Sequence, residues 1–434
     1  MSEAAPVTAA ERFVSLDMLR GVAVLGILVM NIYAFAMPFS AYMNPLMLGG
    51  TEPHNLGTWY FTHIFFDQKF ISIFSMMFGA GIVLMSGRTE AKGARPAPIF
   101  YRRQFWLVII GASHGYFIWM GDILFAYAVI GMLAYLFRRR TPRTLIIVAC
   151  FLLPVTPLLN HGFSFIMEEL QTAAAEVEAL QQAGEELSEE QQNVLKEWQE
   201  SRVMMAPTAE DTQKDLDVHR GGYAGIFEHR VPIVASMQFF MLFFYGLWRI
   251  GGLMLIGMAL MKLGVLTGER SAVFYRKLML AGYVIGLPIM AFSAYNLYQH
   301  QFDGIYGMRF GGIANYAGSI AMALGHIGLV MLAAKSGWMK KLMERFAAVG
   351  RMAFTNYLMH SVILTTVFYG YGLGLYGQVP RFWQMGFVVA VLAFQLWISP
   401  WWLQRYRFGP AEWLWRSLSY WRRQPMRLEE AVSR

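Results

Sequence analysis

The chain has 434 residues, of which 56% are apolar and 15% charged, with a mean hydropathy of +0.39, and that excludes an ordinary soluble domain. The net charge of +8 would suggest nucleic acid in a soluble chain; here a membrane surface is the expected partner, not nucleic acid. The single cysteine, Cys150, lies inside an apolar run, so no intramolecular disulfide can form.

Met1 to Ala10 is polar and lacks a basic n-region, so no cleaved signal peptide is expected. Apolar runs of about 20 residues, the length that crosses roughly 30 Å of hydrocarbon, recur from there on. They lie at about 18–37, 66–87, 104–120, 122–137, 143–160, 233–261, 278–298, 311–334, 352–371 and 382–403. The expectation is an all-α polytopic membrane helix bundle of about ten transmembrane helices. With the N-terminus cytoplasmic, inside segments hold 27 of the 36 Lys and Arg residues and outside segments eight. The positive-inside rule then places both termini in the cytoplasm. The chain divides into a membrane half at 1–160, an external acidic insertion at 161–232, a second membrane half at 233–404, and a basic tail at 405–434.

In the first span, Asp17 and Arg20 are three residues apart and can pair on one helix face. Arg20 and Asn31 are eleven apart, which returns to nearly the same face about 16 Å along the axis. The segment 40–63 carries Pro45, Pro53 and paired glycines, then Trp59, Tyr60 and Phe61, as suits an interfacial return loop. Asp67 and Lys69 open the second span and can pair with each other or with His63, four residues earlier.

Ionisable groups within spans are costly and each calls for a reason. His114 sits near the outer end of the third span, and Gly121-Asp122 makes the turn into the fourth. Eight residues and a reversal place the Asp122 carboxylate within reach of the imidazole, which makes His114 the best general-base candidate in the chain. The plainer alternative is that Asp122 caps the fourth helix and His114 bonds a backbone carbonyl.

The external insertion reads as a hairpin of two helices, Phe165 to Ala183 and Ser188 to Met204, split by Gly184. Ser188 and Gln191 fit a capping box. The long span at 233–261 contains Gly246, Gly251 and Gly252, which suggests a bend or close packing. Arg249 lies about 20 Å from the inner surface, where a guanidinium is expected to face a cavity or a carboxylate. His326, Asn356 and His360 are further interior polar groups. Arg20, Arg102, Arg103 and Arg351 gather at the inner mouth, where guanidinium forks suit phosphates. Pro410 begins an aromatic and basic segment that reads as an interfacial helix. No zinc spacing, Walker loop, dinucleotide glycine pattern or G-x-S-x-G elbow occurs, so neither a metal nor nucleotide hydrolysis is expected.

The pattern L-D-x-L-R-G at 16–21, followed by Asn31, resembles the first helix of the membrane acyltransferase superfamily that includes heparan-alpha-glucosaminide N-acetyltransferase. Blocks at 66–79, 114–124, 246–260, 350–358, 368–377 and 407–416 resemble, nearly end to end, the bacterial YeiB family (DUF418). The resemblance implies a multi-pass protein of the bacterial inner membrane. It also implies an acyltransferase that draws on cytoplasmic acyl-CoA and acylates a small-molecule or glycan acceptor at the external face. The site residues expected on that basis are His114 with Asp122 as base, Asn31 as oxyanion donor and Asp67 nearby. Arg20, Arg102, Arg103, Arg249 and Lys69 are the expected substrate contacts. A transporter of a small anionic or peptidic compound, and a scaffold docking partners on its hairpin, stay open as alternatives, as does assembly into a homo-oligomer.

Overall fold

A computed structural model describes residues 13–203 and 205–428, and the regular elements among them are helices. Arg12, Met204 and the last six residues of the basic tail lie outside the described residues.

The organising helix is α1 (Val14–Ala36). Apart from Asp17, Arg20 and Asn31 it is almost wholly apolar, and 72% of its apolar window is buried, against 17% for the segment Pro142–Gln182. A helix that apolar around most of its circumference belongs at the centre of the bundle. A single turn, α2 (Phe39–Met43), leads to α3 (Pro53–Phe65). After a corner at Phe66–Gln68, in which Gln68 takes a φ of 62°, the chain enters α4 (Lys69–Ala91).

Short connections link α5 (Pro96–Phe117), α6 (Leu124–Ala134, carried on to Phe137 by a 3-10 turn) and α7 (Pro142–Leu152). Leu153 and Pro154 interrupt the next helix, α8 (Val155–Gln182). The first arm of the expected hairpin is therefore not a separate helix but the continuation of the fifth apolar run. Gly184 at a φ of 82° turns the chain toward α9 (Glu189–Arg202), whose Ser188/Gln191 capping box forms as expected. A further helix, α10 (Ala209–Arg220), is capped the same way by Thr208 and Asp211; no apolar period announced it.

The long helix that follows comprises α11 (Tyr223–Phe240), a π-helical stretch at Met241–Ile250, and α12 (Gly251–Lys262). The expected bend is that π stretch, which inserts an extra residue per turn and turns Arg249 inward. Next come α13 (Ala272–Gln299), α14 (Gly304–Tyr306) and, through a second π turn, α15 (Gly312–Ser336). The chain closes with α16 (Lys340–Arg351), α17 (Ala353–Phe368), α18 (Arg381–Leu403) and α19 (Pro410–Tyr420).

Among the described residues, seven helical segments are long and apolar enough to cross a membrane. The other three runs expected as spans are also helices, but α5 carries Arg102, Arg103 and Gln104, and Leu124–Phe137 and the 16-residue α17 are short. Backbone contacts set the helix spacing. A Cβ on Gly79 of α4 would collide with the Met254 backbone of α12, and one on Gly257 of α12 with the Met76 backbone of α4. Small residues at such a crossing let helices pack where lipid supplies no hydrophobic drive between them.

Candidate active site

Of the polar clusters that interrupt the apolar interior, two hold a histidine between a carboxylate and a serine. The first is built where α5 turns into α6. His114 stands in the last turn of α5, and Asp122 follows in the connection. Gly111 makes the approach possible, because a side chain there would run into Phe125 N and would lie 3.0 Å from Asp122 Oδ1. Asp122 Oδ1 accepts the Phe125 N–H at 2.9 Å, while its Oδ2 meets His114 Nδ1 at 2.7 Å. The carboxylate thus does both things that the sequence left as alternatives: it caps the first turn of α6 and orients an imidazole. On the other ring edge, His114 Nε2 lies 2.8 Å from Ser361 Oγ of α17. His114 and Ser361 are 2% and 1% exposed, so bulk water does not compete for these bonds. No sequence signal connected Ser361 to His114; 247 residues separate them.

The second constellation fills the α3–α4 corner. Asp67 Oδ2 is 3.2 Å from His63 Nδ1 and accepts from Asn315 Nδ2 at 2.6 Å. His63 Nε2 lies 3.1 Å from Ser293 Oγ. Lys69, fully buried, donates to the His63 carbonyl at 2.6 Å and to Asn315 Oδ1 at 3.4 Å. Asp67 therefore pairs with His63, one of the two partners that the sequence offered.

Arg249 is fully buried, and among the described residues no carboxylate lies at bonding distance from it. Its fork donates to the Tyr316 carbonyl at 2.9 Å and to the hydroxyls of Ser72 and Ser319, and its plane lies over the Tyr316 ring at 4.1 Å. Neutral oxygens and an aromatic face replace the expected anion, which is how a guanidinium is held once it is desolvated among helices. His326 bonds Tyr283 and the Phe65 carbonyl, and His360 bonds Gln395; both are structural links.

A cavity of about 310 Å³ runs beside the first constellation, at the lower end of the volumes that hold small ligands. Its lining carries five arginines, Arg20, Arg88, Arg103, Arg351 and Arg416, against two carboxylates, Asp17 and Glu412. Arg20 pairs with Asp17 at 3.1 Å as expected. The rest of the lining is mostly apolar, with residues such as Phe78, Ile82 and Leu107 beside Gln104, and it includes Ile123, Leu124, Tyr127 and Tyr357. Tyr357 lies between cavity and histidine, its ring 5.4 Å from the His114 ring.

Arg102 and Asn31 do not line this cavity. Arg102 rests over Trp421 at 5.3 Å, and Asn31 is half-buried on α1. The helical face shared by Arg20 and Asn31 therefore reaches the cavity only through Arg20. Lys69 and Asp67 belong to the second constellation, Arg249 is held separately by Tyr316, Ser72 and Ser319, and none of the three lines the cavity.

The wall also includes α19, which the sequence placed only at a membrane surface. Its Glu412 accepts the N–H groups of Phe354 and Thr355 at 2.7 and 3.1 Å and the Thr355 hydroxyl at 2.5 Å. That satisfies the exposed donors at the start of α17. Burial holds the Glu412 carboxyl above the ordinary glutamate range, against the effect of these donors. Trp415 Nε1 donates to the Arg103 carbonyl at 2.8 Å, completing that side of the cavity.

A helical bundle with several apolar helices long enough to cross a membrane among its described residues is a multi-pass membrane protein. The family model described as "Protein of unknown function (DUF418)" matches residues 260–422. The chain is 32% identical to the uncharacterized protein YxaH of Bacillus subtilis (strain 168), over 98% of each chain. It is also 32% identical to the uncharacterized protein YeiB of Escherichia coli (strain K12), over 94% of this chain and 96% of that one. An uncharacterized 39.9 kDa protein of the amylase 3' region of Bacillus acidopullulyticus is 24% identical over 98% of this chain. The chain belongs to the YeiB (DUF418) family. No solved structure matches it.

Proposed function

We propose that the protein is a membrane-embedded acyltransferase of the bacterial inner membrane. It binds a CoA thioester at the arginine-lined mouth and delivers the acyl group toward His114, for transfer to a small-molecule or glycan acceptor that arrives from the other side. The observation that carries this reading is one cavity lined by five arginines, by apolar side chains and by Tyr357, whose ring lies 5.4 Å from the His114 ring. Guanidinium forks suit the phosphates of CoA. An apolar lining suits its acyl-bearing arm. His114, oriented by Asp122, takes the proton of the attacking group as a general base, and burial excludes water from the step.

With the mouth cytoplasmic, both termini are cytoplasmic and the α8–α10 insertion is external. Reporter fusions check this: alkaline phosphatase is expected to be active at residue 185 and inactive at the C-terminus, and the reverse pattern would invert the scheme. The enzymatic test uses purified protein in nanodiscs with acetyl-CoA. Saturable, salt-sensitive binding is expected to weaken in Arg20→Ala and Arg351→Ala, with CoA release lost in His114→Ala. Absence of binding at millimolar acetyl-CoA would refute the proposal. A transport reading would then gain ground from the broken α3–α4 corner and the π stretch at Arg249, since discontinuous helices mark transporter sites.

A further inference from the structure

Ser361 shares with Ser293 a bond to a carboxylate-held imidazole, at 2.8 Å against 3.1 Å, and of the two only Ser361 lies one turn from a residue that lines the cavity. Ser72, Ser75 and Ser419 each donate to the carbonyl four residues back, the usual way to satisfy a hydroxyl in a membrane helix. Ser361 Oγ instead meets His114 Nε2 at 2.8 Å. The direction of that bond follows from the far side of the ring. An ionised Asp122 can only accept, so Nδ1 carries hydrogen. A neutral imidazole then presents a lone pair at Nε2, and the Ser361 hydroxyl is the donor. Carboxylate, imidazole and hydroxyl stand at 2.7 and 2.8 Å in sequence, the relation that activates a serine nucleophile.

Position agrees with this polarity. Ser361 follows Tyr357 by one turn of α17, and Tyr357 lines the cavity. Among the described residues the Tyr357 hydroxyl makes two long bonds of 3.3 Å, donating to the Gly121 carbonyl and accepting from the Ile123 N–H. Were this side chain to shift, its phenol and the Ile123 N–H would both become free donors of the kind that suits an oxyanion.

We propose that Ser361 is the catalytic nucleophile of a two-step transfer, an inference that rests on the acyltransferase reading. In the first step the Ser361 proton passes to His114 Nε2 as Oγ bonds the thioester carbonyl carbon. The C–S bond breaks, and the CoA sulfur leaves with the proton returned by His114. In the second step the acceptor's hydroxyl or amine gives its proton to His114 and bonds the same carbon. The C–Oγ bond breaks, and Ser361 regains its proton.

The test incubates the full-length protein in nanodiscs with acetyl-CoA and no acceptor, then reads intact and peptide mass. The expected result is one acetyl group on Ser361, with a burst of CoA equal to the protein present. Ser361→Ala is expected to lose the adduct, and its CoA release should fall on the order of 10⁴-fold or more. Ser361→Cys should form a thioester adduct that hydroxylamine removes. Wild-type protein that releases CoA without an acyl-serine, or an Ser361→Ala variant that turns over at the wild-type rate, would overturn the role of Ser361 and leave the acyltransferase reading standing. Failure of wild type and variants alike to bind acetyl-CoA would remove both.

Discussion

Replacing Asp122 by Asn separates a catalytic from a merely structural role for the His114 pair. The substitution preserves shape, and the Asn carbonyl oxygen can still accept the Phe125 N–H that Asp122 Oδ1 holds at 2.9 Å. What changes is the second oxygen, 2.7 Å from His114 Nδ1, in a pair whose side chains are 1% and 3% exposed. An amide NH₂ there donates, so Nδ1 must become an acceptor and the ring hydrogen moves to Nε2. His114 can then no longer take a proton from Ser361 or from an acceptor. Exchanging a charge-assisted bond for a neutral one costs about 1 kcal/mol of stability. The same exchange in a Ser-His-Asp triad lowers turnover by about 10⁴-fold, which is roughly 5 kcal/mol at 1.36 per decade. The two magnitudes are well separated. Acetyl-CoA-dependent CoA release in nanodiscs is expected to fall by that factor, with thermal unfolding shifted by only a few degrees. Turnover at the wild-type rate in Asp122→Asn would refute the reasoning.

Gly81 lines the cavity, and a Cβ there would meet nothing within 4 Å. Gly81→Phe is expected to block thioester binding while unfolding at or above the wild-type temperature, since glycine costs a helix interior about 1 kcal/mol; unchanged binding would show that the cavity is not the site. Among the arginines, Arg103→Ala is expected to weaken acetyl-CoA binding about tenfold or more and to reduce its salt dependence. Arg102→Ala, whose guanidinium rests on Trp421 outside the cavity, should leave binding unchanged, and titration calorimetry distinguishes the two. Burial raises the Glu412 carboxyl, so the folded protein holds that proton more tightly than the unfolded chain. Its contribution to stability is therefore greatest near and below the ordinary glutamate value of about 4.3 and is lost as pH rises through the folded value. Glu412→Gln is expected to flatten this part of the pH profile of thermal unfolding, and an unaltered profile would contradict the assignment.

The sequence by itself determined the helices, because twenty apolar residues in hydrocarbon must satisfy their backbone internally. It also brought within reach the contacts that are local in the chain. Asp17 with Arg20, His63 with Asp67, the Ser188 capping box and the His114–Asp122 pair all lie within eight residues of each other, where helical rise and one tight turn limit the distance, although the structure chose His63 over Lys69 as the partner of Asp67.

Only the tertiary structure decided which side of each helix faces inward. A span surrounded by lipid is apolar on its lipid side and on its packed side alike, so periodicity does not separate the two. Arg20 and Asn31 show the consequence: they share a helical face in the sequence, yet only Arg20 reaches the cavity. Ser361 lay hidden for the same reason, as an ordinary serine on α17 until helix packing set it 2.8 Å from a histidine 247 residues away. The role of α19 was equally non-local, since Glu412 acts through the start of α17, more than fifty residues earlier. Local spacing is written in covalent geometry, whereas the meeting of distant helices depends on close approaches such as Gly79 with Met254 and Gly257 with Met76, which the packed bundle alone brings together.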